Sequence, residues 1–147
     1  MLDFSRFRVI TFDCYGTLID WENGIADAFR RAAESDGVHI ARDEVLRAYA
    51  IIEPIVEQER YRSYREVLTE TAARIAHMYG WPLSYERAGF LAASLPEWKP
   101  FDDTNRALER LGAARISHHS RFSHWRKRSW ESAEASGSMR GRVFITT

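Results

Sequence analysis

The chain has 147 residues, a formal net charge of zero and apolar side chains at 45% of its positions, a composition typical of an ordinary globular domain. No apolar run is long enough to span a bilayer, and the single cysteine excludes an intrachain disulfide framework. The N-terminal run MLDFSRFRV lacks the apolar centre of a signal peptide, so we expect a cytoplasmic protein.

The first predicted element is a strand that ends in a carboxylate. Residues 9–12 (VITF) are β-branched or aromatic without polar alternation, which is typical of a strand buried on both faces of a parallel sheet. Asp13 follows directly, and ligands of open α/β sheets sit beyond the carboxyl ends of the strands. A carboxylate there is costly unless it is paired, hydrogen-bonded or open to a cleft. Asp13 is therefore the first candidate for a catalytic residue.

The residues after Asp13 are predicted to turn sharply, and we call residues 13–20 the aspartate loop. Gly16 can adopt a positive φ, which would let backbone N–H groups face the site. Thr17 can hydrogen-bond across the loop and hold Asp13 in place. Cys14 is expected to be small, partly buried and unreactive. The alternative is that Asp13 merely caps a strand-to-helix turn.

The run DCYGTL, with a further aspartate two residues on, resembles the first motif of the haloacid dehalogenase superfamily, hhhDxDGTLxD. With tyrosine in place of the second aspartate it is similar to the 2-haloacid dehalogenase branch, DxYGTL. The resemblance implies that Asp13 is the nucleophile and that Tyr15, Gly16 and Thr17 shape its loop and the substrate pocket. It also implies an α/β, Rossmann-like core with an inserted α-helical cap.

Tyr15 favours one branch of that superfamily. A carboxylate is ionised at neutral pH and attacks without a separate base. In the phosphatase members, the second aspartate protonates the leaving oxygen, and a phenol with a pKa of about 10 is a poor replacement. Halide leaves without a proton, so we predict that Asp13 displaces halide from a small 2-haloacid and that water then cleaves the ester. No cofactor or metal is expected; the alternative, a phosphatase, would need Mg²⁺.

A series of helices is predicted beyond the aspartate loop. Apolar residues recur at helical spacing in 23–34, 64–78 and 84–94, and in a further segment that Asp43 can cap and Pro54 should break or kink. The turn Asp36-Gly37 should separate the first two helices. By resemblance, these helices form the cap that the superfamily inserts after its first motif.

A cap excludes water and strengthens the electrostatic interactions beneath it. A dehalogenase of this kind would use an arginine to bind the substrate carboxylate or the departing halide, since guanidinium binds anions well. Arg60, Arg62 and Arg65 are the candidates for this anion-binding role. The alternative is that they are solvated residues on a helix surface.

The chain is then expected to return to the core. Asp102 or Asp103 can cap a helix whose apolar face carries Ala107, Leu108 and Leu111 and which Gly112 ends. The resemblance implies that a buried strand with a serine or threonine should follow, and later a lysine and an acidic loop. The residues after 113 lack these features. The predicted organisation is therefore residues 1–15 as first strand and nucleophile loop, 16–96 as cap, 97–112 as return helix and 113–147 as an aberrant or disordered tail.

The tail differs in charge from the rest of the chain. Residues 1–114 carry 14 basic and 19 acidic side chains, whereas residues 115–147 carry 7 basic and 2 acidic ones. A basic extension that binds nucleic acid, an ordinary disordered tail and a slipped reading frame near 113–116 are the three interpretations. We favour the slipped frame, because the composition changes where a core strand is needed, and we do not expect nucleic acid as a partner.

Two consequences follow for function. A core that is incomplete would expose apolar surface, so we expect the chain as written to be poorly soluble or degraded, without detectable turnover. A non-catalytic fragment or binding module is therefore an alternative to either enzyme. For the complete family member, the resemblance is compatible with a homodimer acting on a small 2-haloacid, with no membrane partner.

Overall fold

The computed structural model describes residues 9–10, 12–113 and 145–146, with side chains described from Phe12 to Leu111. Helices make up 68% of the described part. A 3-10 turn over Leu95–Glu97 follows the fifth helix. The elements in chain order are β1 (Val9–Ile10), α1 (Trp21–Ser35), α2 (Arg42–Glu59), α3 (Tyr64–Met78), α4 (Tyr85–Ala88), α5 (Phe90–Ser94), α6 (Thr104–Ala113) and β2 (Ile145–Thr146).

The expected α/β, Rossmann-like core is wrong. The continuous stretch 12–113 is helical and contains no strand. The two short strands pair with each other in antiparallel register, Val9 opposite Thr146 and Ile10 opposite Ile145. A buried parallel strand needs a neighbouring strand for its N–H and C=O groups along its length, and an apolar run by itself cannot supply one. The chain leaves β1 for an irregular path at Phe12 and Asp13 instead.

The chain divides into two compact units. We call Glu22–Trp98 the helical unit; the other combines Met1–Trp21 with Lys99–Thr147. The cap expected over residues 16–96 stays a prediction. Of the predicted tail, residues 113–147, only residue 113 and β2 are described. The frame slip expected near 113–116 and the three interpretations of the tail therefore lie outside the described residues. Within the described stretches, none of the helices combines the length and the apolar character needed to cross a bilayer.

Several predicted elements of the helical unit are confirmed, with shifted ends. The helix predicted over 64–78 is α3, and the predicted turn at Asp36-Gly37 ends α1, with Gly37 at φ +68°. Pro54 was predicted to break or kink this segment; the break is wrong, because α2 continues through it. Glu44, not Asp43, completes the start of α2 by accepting from the Ala41 N–H at 2.9 Å. The segment predicted over 84–94 is interrupted at Gly89, which gives two short helices.

In the second unit, α6 begins where expected but does not end there. Thr104 is its first residue, and the carbonyl of Asp103 accepts from the Ala107 N–H at 2.9 Å, which puts Asp103 at the N-cap position. The helix runs on through Gly112 to Ala113, so the predicted stop at Gly112 is wrong.

The core of the helical unit lies where α2 and α3 pack against each other and α3 contacts α4 and α5. From α1, Phe29 reaches Phe90 with its ring centroid 5.1 Å away in an edge-to-face arrangement. The side chains with almost no exposure are Ile25, Phe29, Val45, Val56, Leu68, Thr71, Ile75 and Leu91. Trp81 and Trp98 are buried as well, so both tryptophans serve packing.

A network of charged side chains joins the end of α2 to α3. Arg74 donates to both carboxylate oxygens of Glu59, at 2.6 and 2.8 Å, and Arg62 donates to the same carboxylate at 3.0 Å. The hydrogen bonds from Arg74, with those from Arg62, lower the pKa of Glu59 to about 2, against the opposing effect of desolvation. The charged form of Glu59 therefore stabilises the fold.

Gly24 of α1 lies directly against Trp98. A Cβ at this position would be 2.5 Å from the nearest atom of the indole ring. The ring cannot easily move aside, because Trp98 is buried and its Nε1 donates to the Ser94 Oγ at 2.9 Å. Position 24 therefore requires the absence of a side chain, although it lies within a helix.

We predict that Glu59→Gln lowers the melting temperature at neutral pH and that this difference shrinks with acid. The folded-state pKa lies below the ordinary value of 4.5, so the stabilisation is present above about pH 4.5 and is lost as the pH falls towards 2. Thermal melts followed by circular dichroism at several pH values test this. Glu57→Gln, an exposed position on the same helix, is the control; equal losses in both variants would contradict the prediction.

We predict that Gly24→Ala destabilises the chain despite the higher helix propensity of alanine. Overpacking costs about 1–3 kcal/mol, whereas replacing glycine by alanine in a helix gains about 1 kcal/mol. In a Trp98→Leu background the ring is gone, and Gly24→Ala should become neutral or stabilising. Urea unfolding of the four chains of this double-mutant cycle measures the coupling. If the changes in unfolding free energy of Gly24→Ala and Trp98→Leu simply add in the double variant, the contact between residue 24 and the Trp98 ring does not cause the destabilisation.

Candidate functional site

The aspartate loop is closed by hydrogen bonds within its own backbone. The N–H groups of Leu18 and Ile19 both donate to the Cys14 carbonyl, at 2.8 and 2.9 Å, and the Gly16 N–H donates to the Ile19 carbonyl at 2.9 Å. The expectation that the loop turns its N–H groups towards a ligand is therefore wrong for these three. They determine the shape of the loop instead.

Gly16 has the positive φ that its sequence position predicts, +80°. A side chain there would be strained by this φ and would also bring its Cβ to 3.1 Å from Trp21 Nε1. The positive φ and the close approach of Trp21 both require glycine at this position. The chain reverses direction there, and Thr17 comes within hydrogen-bond distance of Asp13.

Thr17 makes the predicted hydrogen bond to Asp13. Its Oγ1 donates to Asp13 Oδ2 at 3.0 Å. Asp13 is half-buried and Thr17 is exposed, so this pair lies where solvent and a small molecule can reach it. The hydroxyl restrains the rotation of the carboxylate.

The two ionisable residues between Asp13 and Thr17 in sequence, Cys14 and Tyr15, are kept uncharged. Burial raises the pKa of the Cys14 thiol to about 11, and the neighbouring Asp13 carboxylate adds to this rise. Burial also raises the pKa of the Tyr15 phenol well above its ordinary value, with a smaller contribution from Cys14. At neutral pH both groups hold their protons. The expectation that Cys14 is partly buried is confirmed, and its high pKa makes it a poor nucleophile.

A second set of contacts, which the sequence did not indicate, holds the back of the loop. The buried Leu18 carbonyl accepts from the Phe101 N–H at 3.2 Å and from Thr104 Oγ1 at 3.0 Å. The Asp20 N–H donates to the Lys99 carbonyl at 2.9 Å, next to an isolated bridge between Ile19 and Pro100. The sequence did not indicate these contacts because the partners lie far apart in the chain. A threonine after two aspartates, as at residue 104, indicates only the start of a helix.

The three candidate arginines belong to the helical unit and differ in exposure. The Arg62 side chain is only 8% exposed; besides Glu59 it binds the Val56 carbonyl at 2.7 Å, so it holds the last turn of α2. Arg60 follows α2 directly and is exposed. Arg65 is exposed in the first turn of α3, and its carbonyl accepts from Thr69 Oγ1 at 2.8 Å. Arg62 thus has a structural role at the end of α2, and anion binding by any of the three arginines stays a prediction.

No protein-family model matches the chain, and no curated protein matches it either. The resemblance to the haloacid dehalogenase superfamily therefore stays a prediction that rests on the short motif of the aspartate loop. Within the described residues, no group of three or more histidine, cysteine, aspartate or glutamate side chains is arranged to hold a metal ion.

We predict that Cys14 of the folded chain reacts slowly with iodoacetamide at pH 8 and faster as the pH approaches 11, because the thiolate is the reactive form. The chain has a single cysteine, so mass spectrometry of the intact protein reports this site alone. Chain unfolded in urea should react faster at pH 8. Asp13→Asn should shift the profile of the folded chain to lower pH, since it removes a repelling charge. Equal rates for folded and unfolded chain would contradict the prediction.

Proposed function

We propose that the aspartate loop supplies the nucleophile for hydrolytic dehalogenation of a small 2-haloacid. The observation that carries the proposal is the hydrogen bond from Thr17 to Oδ2 of a half-buried, solvent-accessible Asp13. Because Thr17 engages Oδ2, we assign the attack to Oδ1. The motif resemblance supports the same assignment.

The reaction takes place in two displacements. In the first, an electron pair of Asp13 Oδ1 forms a bond to C2 of the haloacid while the carbon–halogen bond breaks, and halide leaves with that electron pair. In the second, water attacks the ester carbonyl carbon of Asp13. The bond from that carbon to Oδ1 breaks, and Oδ1 leaves as the hydroxyl oxygen of the 2-hydroxy acid with one proton of the water. The other proton passes to solvent, and the oxygen of the water completes the restored carboxylate.

Tyr15 favours halide over phosphate ester as the leaving group. A phenol whose pKa is raised by burial holds its proton more firmly than an ordinary tyrosine, so it is a weak general acid. An alkoxide leaving from phosphate needs that proton, whereas halide does not. A cytoplasmic location is part of the proposal, because a lone free thiol such as Cys14 stays reduced there.

We predict that excess 2-chloropropionate releases at least one equivalent of chloride per chain and that Asp13 carries the ester formed in the first displacement. Peptide mapping by mass spectrometry locates the added propionate group, and a halide assay measures the release. Asp13→Asn should abolish both. Thr17→Val should slow ester formation about fivefold, the effect of losing one hydrogen bond of roughly 1 kcal/mol, and Thr17→Ser should keep the original rate.

Asp102→Asn is the matched control, since it removes the same charge from an exposed position in the same unit. It should react like the unmodified chain. An unmodified Asp13 in folded protein, with no chloride released, would contradict the proposal and favour a non-catalytic binding module.

A further inference from the structure

We propose that Thr104 is a positioning residue for Asp13: its hydroxyl holds the aspartate loop in the geometry from which the carboxylate attacks. The inference rests on the function proposed above. Thr104 does not approach the reacting atoms in this scheme. It acts through its hydrogen bond to the Leu18 carbonyl, and further hydrogen bonds within the loop connect Leu18 to Asp13.

The contact between Thr104 and Leu18 is buried and fully formed. Thr104 is 5% exposed and Leu18 is 6% exposed. The Leu18 carbonyl accepts from Thr104 Oγ1 at 3.0 Å and from the Phe101 N–H at 3.2 Å. A carbonyl oxygen has two lone pairs, so these two donors satisfy it and restrict the rotation of its peptide group.

The restriction extends from Leu18 to Asp13 through consecutive bonds. The Leu18 N–H donates to the Cys14 carbonyl, which holds the peptide group between Thr17 and Leu18. Thr17, on that peptide, donates to Asp13 Oδ2. A change in orientation at Leu18 therefore moves the hydroxyl that restrains the carboxylate.

Thr104 is well suited to this role because it is the first residue of α6. Its own N–H donates to the Phe101 carbonyl at 3.1 Å, and the helix that follows limits the movement of its backbone. Its side chain then connects that helix to the loop. The neighbouring bond from the Asp20 N–H to the Lys99 carbonyl involves only backbone, so it cannot be removed by changing a side chain.

The test compares Thr104→Val, which keeps the shape and removes the donor, with Thr104→Ser, which keeps the donor. Two quantities are measured: the rate of ester formation at Asp13 with 2-chloropropionate, and the pH profile of Cys14 alkylation by iodoacetamide. Thr104→Val should slow ester formation about tenfold or more, because small misplacements of a reacting group are costly. It should also shift the Cys14 profile to lower pH, since a loosened loop exposes the thiol. Thr104→Ser should restore both quantities.

Thr69→Val is the matched control. Thr69 is also a buried threonine whose hydroxyl donates to a backbone carbonyl, that of Arg65 at 2.8 Å, but it lies in the helical unit. This variant should leave both quantities unchanged. A Thr104→Val chain that folds by circular dichroism and keeps the original Cys14 profile would overturn the inference, as would a loss of rate that Thr104→Ser does not rescue.

The two readouts separate the inference from the function on which it rests. If the unmodified chain forms no ester, the proposed function fails, and a shifted Cys14 profile in Thr104→Val still supports control of the loop by Thr104. If the ester forms equally fast in all variants, the function stands and the positioning role is overturned. Should Thr104→Val fail to fold, Thr104→Ala replaces it under the same criteria.

Discussion

The geometry of the candidate site depends on the Cys14 carbonyl, which accepts hydrogen bonds from two successive N–H groups, those of Leu18 and Ile19. A chain can satisfy both only by reversing direction within a few residues, and this reversal requires the positive φ of Gly16. The reversal in turn brings the Thr17 hydroxyl to Asp13. A side chain at residue 16 would oppose the whole arrangement.

Burial gives the groups of this loop different charges. Desolvation favours the neutral forms of Cys14 and Tyr15, whereas Asp13 accepts a hydrogen bond from the Thr17 hydroxyl. Neither Cys14 nor Tyr15 therefore carries a charge beside Asp13 at neutral pH. A carboxylate nucleophile benefits from this arrangement, because neither neighbour competes for an electrophile or adds a repelling charge at neutral pH.

In the helical unit, charged side chains mostly hold elements together. Arg62 and Arg74 converge on Glu59 at the junction of α2 and α3, and Arg87 binds both carboxylate oxygens of Asp36 at 2.8 Å, next to the turn that ends α1. The bonds from Arg87 and from the Trp81 indole lower the pKa of Asp36. Ion pairs as exposed as that of Arg87 contribute modestly to stability one by one.

The structural features that could be predicted from the sequence are those formed by local interactions. The helical periodicity of α3, the turn at Asp36-Gly37 and the bond from Thr17 to Asp13 involve residues close in sequence, and each was expected from residue type and spacing. Pro54 does not break α2: a proline removes a hydrogen bond from the helix interior, but packing against α3 favours a continuous helix.

The sequence by itself determined the aspartate loop: an aspartate, a glycine able to take positive φ and a threonine at the right separation. It did not determine the sheet that an apolar run at residues 9–12 suggested, because a strand forms only where another strand is available to pair with it. Only the tertiary structure showed that Thr104 binds Leu18 and that Arg62 is occupied at the end of α2. Contacts between distant residues depend on how the elements pack, and no local pattern of residues encodes them.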